Sequence, residues 1–414
     1  MGWLLASISG QMTGPCSTTE GDHAVRRSTD RILTTHVGAL PAPLDVWARH
    51  DVSDERLREA VTEVCALQRS AGVDFINEGE LTKGGHWTEY LASRLGGYEP
   101  AGHPGALGEL LLSSSDWVEF RDFYLAVLQN GTLFEQSGAT QHVPEGAEAT
   151  TQSVEDWVAA EPIYYRGHAA LAREINVMKE ALGDTPVSDA FLTTTAPLSV
   201  EPGRVKGIYK TDEEHIHAIA EAMRVEYEAI ATAGFQVQVD DAWLGALWDR
   251  IGIPMGLVAY RKYCQMRCEA LNYALRNIPE EQIRYHLCWG SWHGPHSADL
   301  PLPDIVDIML SVKAQTYSIE AANVRHEHEV ALWQDVKLPD GKILAPGVVT
   351  HSTPLIEHPQ LVASRIERFA ELVGRENVIA STDCGLGLRL HPSLAWAKLN
   401  SLTEGAKLAS AALW

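Results

Sequence analysis

The residues of this chain best suited to chemistry are a histidine and a cysteine two apart, His286 and Cys288 in IRYHLCW (283–289). Side chains two apart on a strand leave on the same face, so an imidazole nitrogen and a sulfur can chelate one ion. Cys384 in STDCG and Glu320 in YSIEAAN close two further β-rich runs at similar depth. The four offer one nitrogen, two sulfurs and one carboxylate oxygen, a set that selects zinc over calcium, magnesium or manganese. A carboxylate in the fourth position can yield to an incoming substrate atom, as in catalytic sites. The plainer reading of His286 and Cys288 alone is a core pair in a buried strand. Cys264 and Cys268, four apart with Leu271 and Leu275 continuing the stripe, read as the core face of a helix, and Cys65 likewise. His293, His296, His326 and His328 read as solvated loop or helix residues, with His293, close in sequence to His286, as a reserve ligand.

Positioning such a set requires several strands to end at one place. Eight candidates lie along the chain: 32–37, 73–78, 187–195, 235–240, 283–289, 316–321, 343–349 and 377–383. Between them fall amphipathic helical stretches, two of which end at Gly as a left-handed cap prefers. Eight βα repeats predict a single (β/α)8 TIM barrel over residues 29–414, with one long insertion (95–180) between strands two and three. An open doubly wound sheet is the competing architecture, but no G-x-G-x-x-G follows the first strand. Barrel chemistry gathers at the C-terminal strand ends. There the sequence places His36, Glu80, Thr194 and Thr195, Asp240 and Asp241, His286 and Cys288, Glu320, His351 and Cys384. Trp87, Trp243, Trp248, Trp289 and Trp292 lie near the same ends, suited to a stacking wall for a ligand, with plain core packing as the alternative.

Composition narrows the partners. Lys and Arg total 33 against 55 Asp and Glu, a formal charge of -22, and no basic run supplies the footprint that nucleic acid or anionic lipid requires. No apolar stretch approaches the roughly 20 residues of a membrane span. The run 3–8 lacks the basic flank and length of a signal peptide, and six Cys in 414 residues are too few for a disulfide scaffold. The chain therefore reads as cytoplasmic, with small molecules as its partners. Residues 1–28, which include Cys16, read as a poorly ordered N-terminal extension.

RILTTHVGALP, VDFINEGE, QVDDAWL, HLCWG, YSIEAAN, PGVVTHSTPLIEHP and STDCGLG, in that order, resemble the C-terminal catalytic domain of cobalamin-independent methionine synthase and its short single-barrel relatives. The resemblance implies a zinc-dependent thiol alkyltransferase, with the family's metal motif on His286, Cys288, Glu320 and Cys384. It implies that zinc binds the substrate thiol as a thiolate and presents it to an alkyl donor. A free thiol, with a pKa near 8.5, is mostly protonated at neutral pH, whereas a coordinating thiol is deprotonated. The resemblance also gives His351 acid duty toward the leaving group and lets Glu80 and Asp240 hold an amino group; helix capping is the plainer role for the two carboxylates. His36 and Trp243 complete the expected substrate wall. The family's first-strand Gly-Ser is here Gly38-Ala39, which removes a hydroxyl donor and predicts a different thiol. Related single barrels join epoxides to coenzyme M, so a C–S lyase on the same zinc is the alternative reaction, and a non-enzymatic zinc-stabilised barrel the alternative class.

Overall fold

A computed structural model of the chain describes residues 26–43, 45–46, 52–83, 87–104, 114–129, 155–387 and 389–414. Most of the expected 1–28 extension, Cys16 and the side chain of Trp87 lie outside the described residues. The strands are β1 (Leu33–Thr34), β2 (Leu95–Pro104), β3 (Glu155–Tyr165), β4 (Phe191–Thr195), β5 (Arg204–Val205), β6 (Gln236–Asp241), β7 (Ile283–Leu287), β8 (Thr316–Ile319), β9 (Ile343–Val349) and β10 (Ile379–Thr382). Seven form a parallel sheet in the order β1-β10-β9-β8-β7-β6-β4. The apolar run ILAPGVV becomes β9, buried along its whole length, as expected of a parallel strand covered on both faces.

The second candidate strand, 73–78, is reduced to one parallel bridge, Ile76 to Ala190. Its backbone still joins the two edges of the sheet. Phe75 N–H donates to the Thr34 carbonyl, while Ile76 N–H donates to the Asp189 carbonyl and the Ile76 carbonyl accepts from Phe191 N–H. Phe75 also lies in a cluster with Leu33, Phe191, Ile343, Ala345 and Ile379, drawn from widely separated staves. The result is a curled parallel α/β sheet of TIM-like form. Within 95–180, which carried no expected strands, β2 and β3 pair antiparallel and join β5 in a separate three-stranded sheet. Helix His168–Ala181, inside the same stretch, packs on the helix Asp54–Ala71: Arg69 Nη1 donates to the carbonyls of Ala181 and Leu182.

Local chemistry fixes the helix ends that aim the strands. Ser53 accepts from Arg56 N–H at the start of Asp54–Ala71, and Gly72 closes it at φ 85°. Thr211 caps Asp212–Thr232, whose first turn carries Asp212, Glu213 and Glu214 against the helix dipole. Among the described residues, no helix is long and apolar enough to cross a membrane.

Candidate metal centre and substrate mouth

Strand register assembles the site. One rung runs Thr195, Asp240, His286, Ser318 and Ala345 across neighbouring strands. Two residues further along β7 and β8 lie Cys288 and Glu320, and β10 is followed by Asp383 and Cys384. His286, Cys288 and Cys384 bring one ligand atom each within 4.8 Å of one another. The two sulfurs stand 3.8 Å apart. Two sulfurs each about 2.3 Å from one tetrahedral zinc are separated by about 3.8 Å. His286 Nδ1 pairs with Ser318 Oγ at 3.2 Å, which leaves the buried Nε2 without a hydrogen-bond partner. An orphaned nitrogen facing a matched sulfur pair fits zinc.

Glu320 stands one step aside. Its oxygens accept from Trp289 N–H (3.1 Å) and Asn323 Nδ2 (2.7 Å), and it groups with His351 and Asp383. Burial pushes the Glu320 carboxyl up to about 7. Cys384 is held well below the usual thiol range, chiefly by the hydrogen bond from Cys288, with His286 adding to it despite burial. His351 is buried, its Nδ1 has no partner, and loss of solvent lowers it to about 4. Arg389, His296 and His286 add to that lowering, while Cys384 pulls the other way.

Glu80, Asp240, Trp243 and Cys384 are only half-buried. Asp240 accepts from Gln238 Nε2 at 2.9 Å, and burial beside Glu80 raises it to about 8. Glu80 has a left-handed backbone (φ 61°), which a non-glycine residue adopts at a cost. Gly38 makes room for it: a Cβ there would lie 2.3 Å from Glu80 Oε1. His36 takes a different position from the mouth residues. It is buried, bonds Gln68 through Nε2 at 2.7 Å and packs on Phe191, and burial lowers it to about 3. Among the tryptophans, Trp289 is fully buried and donates to the Leu300 carbonyl, Trp248 packs on Tyr260, and Trp243 and Trp292 flank Arg250.

Several residues escape a reading of the sequence alone. Asp383 Oδ1 accepts from the Ala321 and Ala322 N–H groups at 2.7 and 2.8 Å and so ties β10 to the turn bearing Glu320, while Oδ2 has no partner. His293 and His328 are exposed as expected, but His326 is buried and His296 half-buried. His296, Asp299, His326 and Glu329 form a chain with contacts of 3.1, 3.2 and 2.8 Å. Desolvating these imidazoles is tolerable because each has a carboxylate, which raises His326 to about 10 against its burial. The spacing of HEHE gave no hint of this; the φ of 52° at His296 is a tertiary signal.

A TIM-like parallel sheet with thiols, an imidazole and carboxylates gathered at its strand ends defines an α/β protein built for ligand chemistry at one mouth. Residues 147–407 match the model of the cobalamin-independent synthase catalytic domain, and the chain belongs to that family. It is 24% identical over 50% of its length to a 2-hydroxypropyl-CoM lyase from Xanthobacter autotrophicus, of which it spans 57%. It is 21% identical over 91% of its length to a methionine synthase from Thermococcus kodakarensis, covering 92% of that protein. It spans only 41% of the 5-methyltetrahydropteroyltriglutamate–homocysteine methyltransferase of Thermotoga petrophila, at 21% identity over 86% of this chain. In fold it matches a B12-independent methionine synthase from Shewanella sp. with a TM-score of 0.63 at 15% identity, covering 92% of this chain and 99% of that one.

Proposed function

We propose that the chain is a zinc-dependent thiol alkyltransferase acting on a small-molecule thiol and an alkyl donor. The observation that carries this reading is the 3.8 Å sulfur pair beside an unpartnered His286 nitrogen. His286, Cys288 and Cys384 would hold the ion, and Glu320 stands ready as a fourth ligand once its hydrogen bonds are exchanged. When bound, zinc supplies Lewis acidity that keeps the acceptor sulfur deprotonated at neutral pH. The remaining work falls to the protein. Glu80 and Asp240 face the mouth, where a cationic group would restore charge to a carboxyl that burial raises to about 8. Trp243 walls that side, and His36 ties the end of the first stave to the helix Asp54–Ala71 through Gln68. His351 is neutral at rest with an unpartnered Nδ1, so it can take up the proton that the acceptor thiol gives up and pass it to the departing leaving group. In architecture we take residues 29–414 as one barrel, with 95–180 inserted between its second and third staves and 1–28 as an extension.

A second reading, epoxide opening by the same thiolate, is favoured by the lyase among the relatives. Zinc analysis followed by X-ray absorption with candidate thiols tests the shared premise. We expect about one zinc per chain and an oxygen ligand replaced by sulfur with one thiol; protein free of zinc when purified without chelators overturns it. Product mass then separates transfer of a methyl group from addition of a whole epoxide.

A further inference from the structure

We propose that Arg250 is an anion-binding residue at the mouth of this site, gripping a carboxylate- or sulfonate-bearing substrate; the proposal rests on reading that mouth as a substrate site. Arg250 is only 7% exposed. A buried guanidinium is costly unless paired, and Arg94, Arg267 and Arg365, also buried, each meet a glutamate. Arg250 has no ion pair among the described residues. One nitrogen donates to the Ala246 carbonyl and Nε has no partner. The acidic groups nearest in charge are engaged elsewhere. Asp249 accepts from the N–H groups of Ser115 and Asp116, and Asp299 is bonded to His296 and His326. Arg284, the other buried arginine outside an ion pair, is turned into the barrel over Phe191 and bonds Thr35 and the His36 carbonyl.

Two rings tie Arg250 to the reacting end. Its guanidinium lies 5.4 Å from the Trp243 ring, two residues beyond Asp241, and 4.6 Å from the Trp292 ring. Trp292 in turn folds over Gly290, where a Cβ would come within 1.9 Å of it, and Gly290 N–H donates to Cys288 Sγ at 3.2 Å. Cation–π contact offsets part of the desolvation but leaves the fork of donors unfilled, and that fork matches a planar carboxylate or a sulfonate face. The carrying segment, Trp248–Gly252, is π-helical, a distortion found frequently at functional sites.

The test is a fluorescence and calorimetric titration of the full chain with 3-mercaptopropionate, its methyl ester, and the thiol-free acids propionate and ethanesulfonate. We expect wild type to bind 3-mercaptopropionate at least about tenfold tighter than the ester, Arg250→Gln to abolish that preference, and Arg250→Lys to keep part of it. Equal binding of acid and ester by wild type, together with no Arg250-dependent binding of propionate or ethanesulfonate, overturns the proposal, as does a preference that survives in folded Arg250→Gln. In cobalt-loaded protein, an Arg250-dependent sulfur-to-cobalt band with 3-mercaptopropionate assigns the acid to the thiol. Arg250-dependent propionate binding, with acid and ester perturbing cobalt alike, assigns it to the alkyl donor. Because the thiol-free acids need no metal, their binding stands even if zinc chemistry fails.

Discussion

Cys384 and His351 interact electrostatically yet make separable contributions, because one offers a sulfur to an ion and the other is a buried imidazole with an unpartnered nitrogen. Cys384 is half-buried at the end of β10 and bears little of the core, so Cys384→Ser is expected to lower zinc to well below one per chain while leaving the thermal midpoint within a few degrees. Elemental analysis alongside a melting curve checks this; loss of folding together with the metal would make the ion structural. His351→Gln should cut turnover by about 10²–10⁴-fold with zinc content unchanged, the range of a lost general acid. Residues of this kind were legible in the sequence because imidazole and thiol at strand ends have few other uses. Asp383 was not, although it adjoins Cys384, because its role comes from two backbone N–H groups more than sixty positions away in sequence.

At the scale of elements, β9 and β10 meet with no room to spare. A Cβ on Gly347 would lie 2.1 Å from Asp383 Oδ1 and 2.6 Å from its Cα, so backbone and not only a side chain must move. Gly347→Ala is therefore expected to destabilise the protein by about 1–3 kcal/mol and to weaken zinc binding, measured by denaturant melts and metal titration. The β-rich apolar runs and helix caps that mark β6 through β10 were readable because they depend on neighbours within one turn or one strand. The 73–78 run carries the same apolar signal but makes a single bridge, since the chain leaves the sheet at Asn77 to place Gly79 and Glu80 in left-handed conformations. The strands β2 and β3 lie far apart in sequence and are stabilised by pairing with each other, which no local pattern reports.

Across the whole molecule, buried charge links the staves to their surroundings. Lys83 Nζ contacts Glu78 (3.2 Å), Glu174 (2.6 Å) and Thr193 (3.1 Å), joining the loop after the second stave, the helix His168–Ala181 and β4. Lys83→Met would leave buried Glu78 without its cation, while Glu174 keeps Arg94, and is expected to cost about 3–5 kcal/mol, read in chemical denaturation. His326 supplies a pH signature. Its pKa, raised to about 10 when folded against 6.5 when unfolded, gives stability fully present below pH 6.5 and lost as pH climbs toward 10. Melts across that window should decline by at most about 1.4 kcal/mol per pH unit from this group, and His326→Gln should flatten that part of the slope. The amino-acid sequence by itself determined the class of chemistry and the parallel α/β frame, because ligand types, strand alternation and helix caps act over short range. Only the tertiary structure decided which histidines are buried, that Glu320 begins in other hydrogen bonds, and that Arg250 lacks a carboxylate, because burial and pairing depend on residues the chain brings together from afar.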